Sequence, residues 1–217
     1  PDLYQHIDPE QVGNTMRMLV SDMAGRASIE LKGKELGVDL GGDRELVARV
    51  VERVKERELQ GYTYEAADAS FELLLREEVE GRARCYFRVE SRRAIVEDRP
   101  DGTHANEATV KLWAKGERII ATAEGNGPVN ALDRALRVAL ERIYPQLAKF
   151  GLVDYKVRIL EGRHGTDSAT RVLISTTDGQ EEWSTVGVAE NVIAASWRAL
   201  EDAYTYGLLR AGVEPVE

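Results

Sequence analysis

The chain has 217 residues and 24.2 kDa, and 29 Lys and Arg against 38 Asp and Glu leave a formal net charge of −9. At roughly 100–200 residues per domain, that length fits one large domain or a medium one with a smaller attachment. With 43% apolar and 31% charged residues the composition is that of a globular protein with a real core. The acidic balance argues against a general binder of nucleic acid or of anionic membranes, because neutralising phosphates takes clustered Lys and Arg. No apolar run approaches the ~20 residues that span a bilayer. Pro1–His6 lacks a basic start followed by an apolar stretch, so no signal peptide is expected. The first residue is Pro1 instead of Met, which points to a piece of a longer protein. A single cysteine, Cys85, leaves no internal disulfide and fits a reducing, cytoplasmic setting.

Up to about Gly81 the periodicity is mainly helical. Met16–Leu36 reads as a short strand (Met18-Leu19-Val20), a glycine turn at Gly25 and a short helix. Residues 44–58 then place Leu46, Val47, Val50, Val51 and Val54 on one helical face and Arg49, Glu52, Arg53, Glu56 and Arg57 on the other. Gly41-Gly42-Asp43 supplies the turn and N-cap before it. Gly61 breaks the pattern, Thr63 is expected to cap a second helix through Ala66, Ala69, Ser70, Leu73 and Leu74, and Gly81 ends it.

From Arg82 the period becomes two. Tyr86–Val96, Ala108–Trp113 and Arg118–Ala123 read as strands, separated by turns at Pro100-Asp101-Gly102 and Lys115-Gly116. A helix over Pro128–Tyr144 follows, with Val129, Leu132, Leu136, Ala139, Leu140 and Ile143 on one face. The order then restarts with strands at Val153–Leu160, Thr170–Thr176 and Trp183–Val188 and a helix over Asn191–Tyr204 carrying Ile193, Trp197, Leu200 and Tyr204. Ala108/Ala169, Thr109/Thr170, Leu112/Leu173, Asn130/Asn191 and Arg137/Arg198 recur at a spacing of 61. The fold class is therefore α+β: a duplicated βββα unit with internal pseudo-two-fold symmetry over 82–217 (repeats about 82–147 and 152–210), after a helical subdomain over 1–81.

Residues that carry chemistry are sparse. His6, His104 and His164 are scattered, so no metal-ligand spacing is legible and no metal or cofactor is expected in this chain. There is no Gly-x-Ser-x-Gly elbow and no phosphate loop ending in Gly-Lys-Ser/Thr. Cys85, beside Tyr86 and Phe87, reads as a packing residue. Arg82, Arg84, Arg88 and Arg92 all stand at even positions; on one strand they would share a face, either a solvated one or a phosphate-binding stripe.

The most informative segment is Thr122–Ala131. A strand ends, Gly125-Asn126-Gly127 permits a tight turn, and Pro128 fits the first helical position. The helix start that follows either merely reverses the chain or offers free N–H groups to a small carboxylate or phosphate. Its counterpart, Val186-Gly187-Val188-Ala189-Glu190-Asn191, carries Glu190 where an anion would sit, so the two ends should not bind alike. Leu152, Tyr155 and Ile159 on the next strand could supply an apolar wall.

Gly125-Asn126-Gly127-Pro128-Val129-Asn130-Ala131-Leu132 followed by Leu152-Val153-Asp154-Tyr155-Lys156-Val157 resembles the C-terminal regulatory domain of the isopropylmalate/citramalate synthase family. Tyr4–Asn14 is similar to the segment after that family's catalytic barrel, and Gly61–Leu74 to the linker of its citramalate-synthase-like branch. The resemblance implies a parent acyltransferase that condenses acetyl-CoA with a 2-keto acid on a divalent-metal TIM barrel absent from this sequence, so the fragment alone should be inactive. It further implies a homodimeric domain that binds an end-product amino acid and acts on its own catalytic domain. The effector residues carried over are Gly125, Asn126, Gly127, Pro128, Val129, Leu152, Tyr155, Ile159 and Val188, with the loop Gly162–Ser168 closing over them. Tyr4 matches a linker tyrosine that reaches an active site. Isoleucine as effector of a citramalate synthase, leucine as effector of an isopropylmalate synthase, and a dimerisation module without an effector all remain open.

Overall fold

A computed structural model describes residues 26–160 and 168–216. The expected strand at Met18–Val20, the Gly25 turn, Tyr4, His6, His164 and most of the Gly162–Ser168 loop lie outside the described residues.

Three helices come first: α1 (Arg26–Glu35), α2 (Arg44–Leu59) and α3 (Asp68–Glu80). Asp43 caps α2 by accepting from the Glu45 and Leu46 amides at 2.9 and 3.1 Å. Its apolar face, Leu46, Val47, Val50 and Val54, is buried as the spacing predicts. The second cap differs from the expectation. Helix α3 begins at Asp68 with Ala67 at its N-cap, so Thr63 does not start it; the stretch before it serves to bury Tyr62 and Tyr64.

Two antiparallel sheets follow, each in sequential order. The first is β1 (Arg88–Asp98), β2 (His104–Ala114) and β3 (Glu117–Gly125); the second is β4 (Gly151–Ile159), β5 (Thr170–Thr177) and β6 (Glu182–Ala189). Lys115 and Gly116, both at positive φ (45° and 80°), make the two-residue connection of β2 to β3. Helix α4 (Pro128–Leu140) lies on β3 and β2, and α5 (Val192–Arg210) on β6 and β5. The helices meet where the Tyr204 hydroxyl donates to Asp133 Oδ1 at 2.9 Å. One continuous core joins both units, from Val110, Leu112, Leu132 and Leu136 to Val172, Ile174, Trp197 and Leu200. A second core holds the N-terminal helices against Val186 and Val188 of β6.

The internal repeat is real, but its spacing is 64, not 61. Asn106 pairs with Gly125 and Thr170 with Ala189 at the same point in each sheet. The core-facing residues are even-numbered in both middle strands (Ala108, Val110, Leu112; Val172, Ile174), so an odd spacing would superpose buried Leu112 on Leu173, which faces the other way. At 64 the helices align as Ala131/Ala195, Arg134/Arg198, Ala135/Ala199, Leu136/Leu200 and Ala139/Ala203.

The arginine stripe does not form. Arg82 and Arg84 precede β1, and Arg84 is tied to Glu80 at 2.6 Å. A bulge between Val89 and Ser91 then puts Arg88 opposite Trp113, on the outer face, and Arg92 opposite buried Val110 on the inner one. Arg92 lies over the Trp197 ring at 5.0 Å. Cys85 is partly buried just before β1, with its thiol 3.5 Å from the Phe87 carbonyl.

Candidate functional site

The turn from β3 into α4 is built for close backbone approach. A Cβ at Gly125 would stand 2.5 Å from the Ala131 amide nitrogen, so only glycine lets the strand end lie against the helix start. The Asn130 side chain accepts from the Asn126 N–H at 3.2 Å, and Arg134 donates to the Glu124 carbonyl at 3.0 Å, pinning both sides of the turn. Gly127 is the N-cap in an extended conformation and has no side chain to cap with; Pro128 opens the helix without an N–H. The Val129 and Asn130 amides are therefore the free donors of this helix end, and the axial dipole adds partial positive charge there.

The equivalent end of α5 carries a side-chain cap on one amide. Asn191 occupies the place of Gly127 and accepts from the Ala194 amide at 2.9 Å. Arg198, the partner of Arg134 in the repeat, donates to the Val188 carbonyl just as Arg134 does to Glu124. One helix end caps itself and the other does not.

The remaining expected residues fall in separate surroundings within one chain. Leu152 joins Ala123, Glu124, Asn130 and Arg134 around an open hollow of about 790 Å3 beside the turn. Tyr155, on the inner face opposite Ile174, shares a 2.8 Å hydrogen bond with the Ser196 hydroxyl on α5. Ile159, at the end of β4, is 69% exposed, and Val157 on the same face is 46% exposed. Val188 is buried (3%) under the N-terminal helices, where a Cβ on Gly61 would lie 3.5 Å from it. Glu190 is exposed and lines a hollow with Leu59, Gln60, Tyr62 and Ala194. Sequence reasoning missed Asn130 and Arg134 as the residues that fix the turn; the 64-residue pairing of Arg134 with Arg198 was the signal available.

Among the described residues no group of three or more His, Cys, Asp and Glu could hold a metal ion, and no helix is long and apolar enough to cross a membrane. His104 is exposed and bonded to Asp98 at 2.6 Å.

The class so defined is a duplicated βββα domain whose distinctive feature is an open helix end rather than a set of reactive side chains. The family model of the LeuA allosteric (dimerisation) domain matches residues 65–208, and the chain belongs to that family. It is 87% identical over all 217 residues to an (R)-citramalate synthase of Streptomyces coelicolor, of which it covers 41%. It is 45% identical over 208 residues to an (R)-citramalate synthase of Aquifex aeolicus, covering 95% of this chain and 39% of that protein. A 2-isopropylmalate synthase of Aquifex aeolicus is 30% identical over 212 residues, with 95% and 37% covered. The chain thus spans about two fifths of the length of these relatives.

Proposed function

We propose that this chain is the feedback-sensing and dimerising part of a citramalate synthase, and that its effector is isoleucine. The observation that carries the reading is the contrast between the two helix ends. The uncapped start of α4 offers the Val129 and Asn130 amides to a carboxylate, whereas Asn191 already fills that role at α5. Gly125, Asn126, Gly127, Pro128 and Val129 would cradle the effector's carboxylate, and Leu152, Tyr155 and Ile159 would supply apolar walls, some of them across a homodimer, whereas Val188 is buried under the N-terminal helices and serves that core instead. The exposed Val157 and Ile159 are surface that a second copy would cover. The parent enzyme would condense acetyl-CoA with pyruvate, with its divalent metal held in the part of the relatives that this chain does not span. Residues 1–81 act as the linker to that part, Tyr4 reaches its active site, and residues 82–217 form the sensor.

Gly127→Asn tests the carboxylate placement because it installs at α4 the cap that α5 already has. Gly127 is extended, at φ −163°, with nothing within 4 Å of an added Cβ, so the substitution meets no steric barrier. The full-length protein titrated calorimetrically with isoleucine, leucine and valine should prefer isoleucine, and Gly127→Asn should lose that heat without losing thermal stability. Survival of isoleucine binding in the variant would place the carboxylate elsewhere. Leucine preference would move the parent to the isopropylmalate branch, and no heat with any of the three would leave dimerisation as the function.

A further inference from the structure

The chain holds five asparagines, and one of them, Asn126, is followed by glycine. That order matters chemically. A backbone nitrogen can attack the side-chain carbonyl of the residue before it, and glycine, with no Cβ, leaves the approach open. Two aspartates also precede glycine, at the turns Asp101-Gly102 and Asp178-Gly179, and could close the same ring.

The three pairs are not equally free. The Gly102 N–H donates to the Arg99 carbonyl at 2.9 Å, and the Asp101 carboxylate accepts from the Thr103 amide and hydroxyl. The Gly179 N–H donates to Thr177 Oγ1 at 3.0 Å, while Asp178 accepts from the Gln180 and Glu181 amides. Both aspartates are thus held in Asx turns, and both glycine nitrogens are engaged. Asn126 differs on each count. It is exposed, and among the described residues neither its carboxamide nor the Gly127 N–H makes a hydrogen bond. Its backbone is fixed, because its N–H donates to Asn130 Oδ1 at 3.2 Å and its carbonyl accepts from the Asn106 side chain at 3.5 Å. Nothing lies within 4 Å of the point where a Gly127 Cβ would stand, so the space beside the nitrogen is open. The start of α4 adds partial positive charge, which favours the negative charge that develops during attack.

We propose that Asn126-Gly127 is a site of spontaneous deamidation, which turns the neutral start of α4 into an anionic one. Base removes the Gly127 N–H proton and the nitrogen attacks Asn126 Cγ. A C–N bond forms there as the side-chain nitrogen departs as ammonia. Water then opens the resulting succinimide at either carbonyl. One opening restores the ordinary peptide bond and leaves an aspartate; the other leaves an isoaspartate, with the backbone running through the former side chain. One water enters and one ammonia leaves, and nothing is oxidised or reduced. Either product sets a carboxylate beside the Val129 and Asn130 amides, where it answers those donors itself and repels an arriving carboxylate. That consequence rests on the effector site proposed above; the modification does not.

The test ages the full-length protein at 37 °C and pH 7.4, maps it by peptide mass spectrometry and counts isoaspartate by enzymatic methylation. Conversion should be at least about tenfold faster at Asn126 than at Asn106, Asn130 or Asn191, should quicken between pH 6 and 8, and should slow at least about tenfold in Gly127→Ala. An added Cβ there meets no neighbour, so the variant keeps the turn, and a melting curve shows that it is folded. An intact Asn126, or one converted no faster than the other three, overturns the proposal. Calorimetric titration with isoleucine, fresh protein against aged, reads the consequence. Heat lost in step with conversion supports the blocked helix end, and heat unchanged in converted protein refutes it. No heat from the fresh protein overturns the effector reading instead, and the peptide map still decides the modification.

Discussion

Replacing Asp202 with Asn should make the protein more stable at pH 8 and change little at pH 4. The carboxyl sits beneath α2 and α3 with one hydrogen bond from Ser70, and burial raises it from an ordinary value near 3.8 to about 7. A folded carboxyl with a raised value binds more protons than the unfolded chain between those limits. Its stabilising contribution is therefore complete below about pH 4 and is lost as pH rises through 7. A shift of about three units corresponds to about 4 kcal/mol, and solvent reaching a partly exposed side chain reduces this to about 2–3 kcal/mol. Asn keeps an oxygen for Ser70 and carries no charge to bury. For a chain of this size the gain at pH 8 is a rise of about 4–10 °C in melting temperature. Melting curves by circular dichroism at half-unit steps from pH 4.5 to 8.5, wild type against variant, read it directly. Curves that stay parallel, or a variant less stable at pH 8, would refute the reasoning.

Ser70→Ala should act in the opposite sense. It leaves the Val186 N–H, now 3.0 Å from Ser70 Oγ, without a partner and removes the donor to Asp202, costing about 1–3 kcal/mol by denaturant titration and extending the loss of stability with rising pH beyond pH 7. Gly187→Ala should be more damaging, because the new Cβ would lie 2.0 Å from the Ala195 carbonyl oxygen and 2.7 Å from the Ala199 nitrogen, both backbone atoms. Forcing α5 off β6 is expected to cost about 3 kcal/mol, whereas Ala123→Gly at the matching place in the first unit should cost only about 1 kcal/mol; thermal melts of the two variants test the difference.

Much of this architecture was legible in the sequence, because each element carries its own periodicity. Alternation gave all six strands of the two sheets within a few residues, and the helical faces of α2, α4 and α5 were read from their apolar spacing. What failed needed knowledge of pairing. The 61-residue repeat was drawn from identities such as Leu112/Leu173, and identity alone does not say which way a strand residue faces. The arginine stripe failed for the same reason, since one extra residue at a bulge reverses every later side chain. Thr63 had the right chemistry for a cap, but Tyr62 and Tyr64 gain more by burial than a cap would give. Next to the candidate site, the glycines and Pro128 marked where α4 begins, whereas the Ser70–Asp202 contact joins residues 132 positions apart and has no local signature.

The unequal helix ends bear on stoichiometry. Duplication supplies two helix starts per chain, but Asn191 occupies one of them with the protein's own side chain. A homodimer would then present two open α4 ends, not four, related by the axis between protomers and not by the repeat within each. Cooperativity between those ends would have a ceiling, a Hill coefficient of 2, and would have to cross the subunit boundary to appear at all. The second repeat, whose helix start is capped by its own side chain, is the one that the N-terminal helices grip.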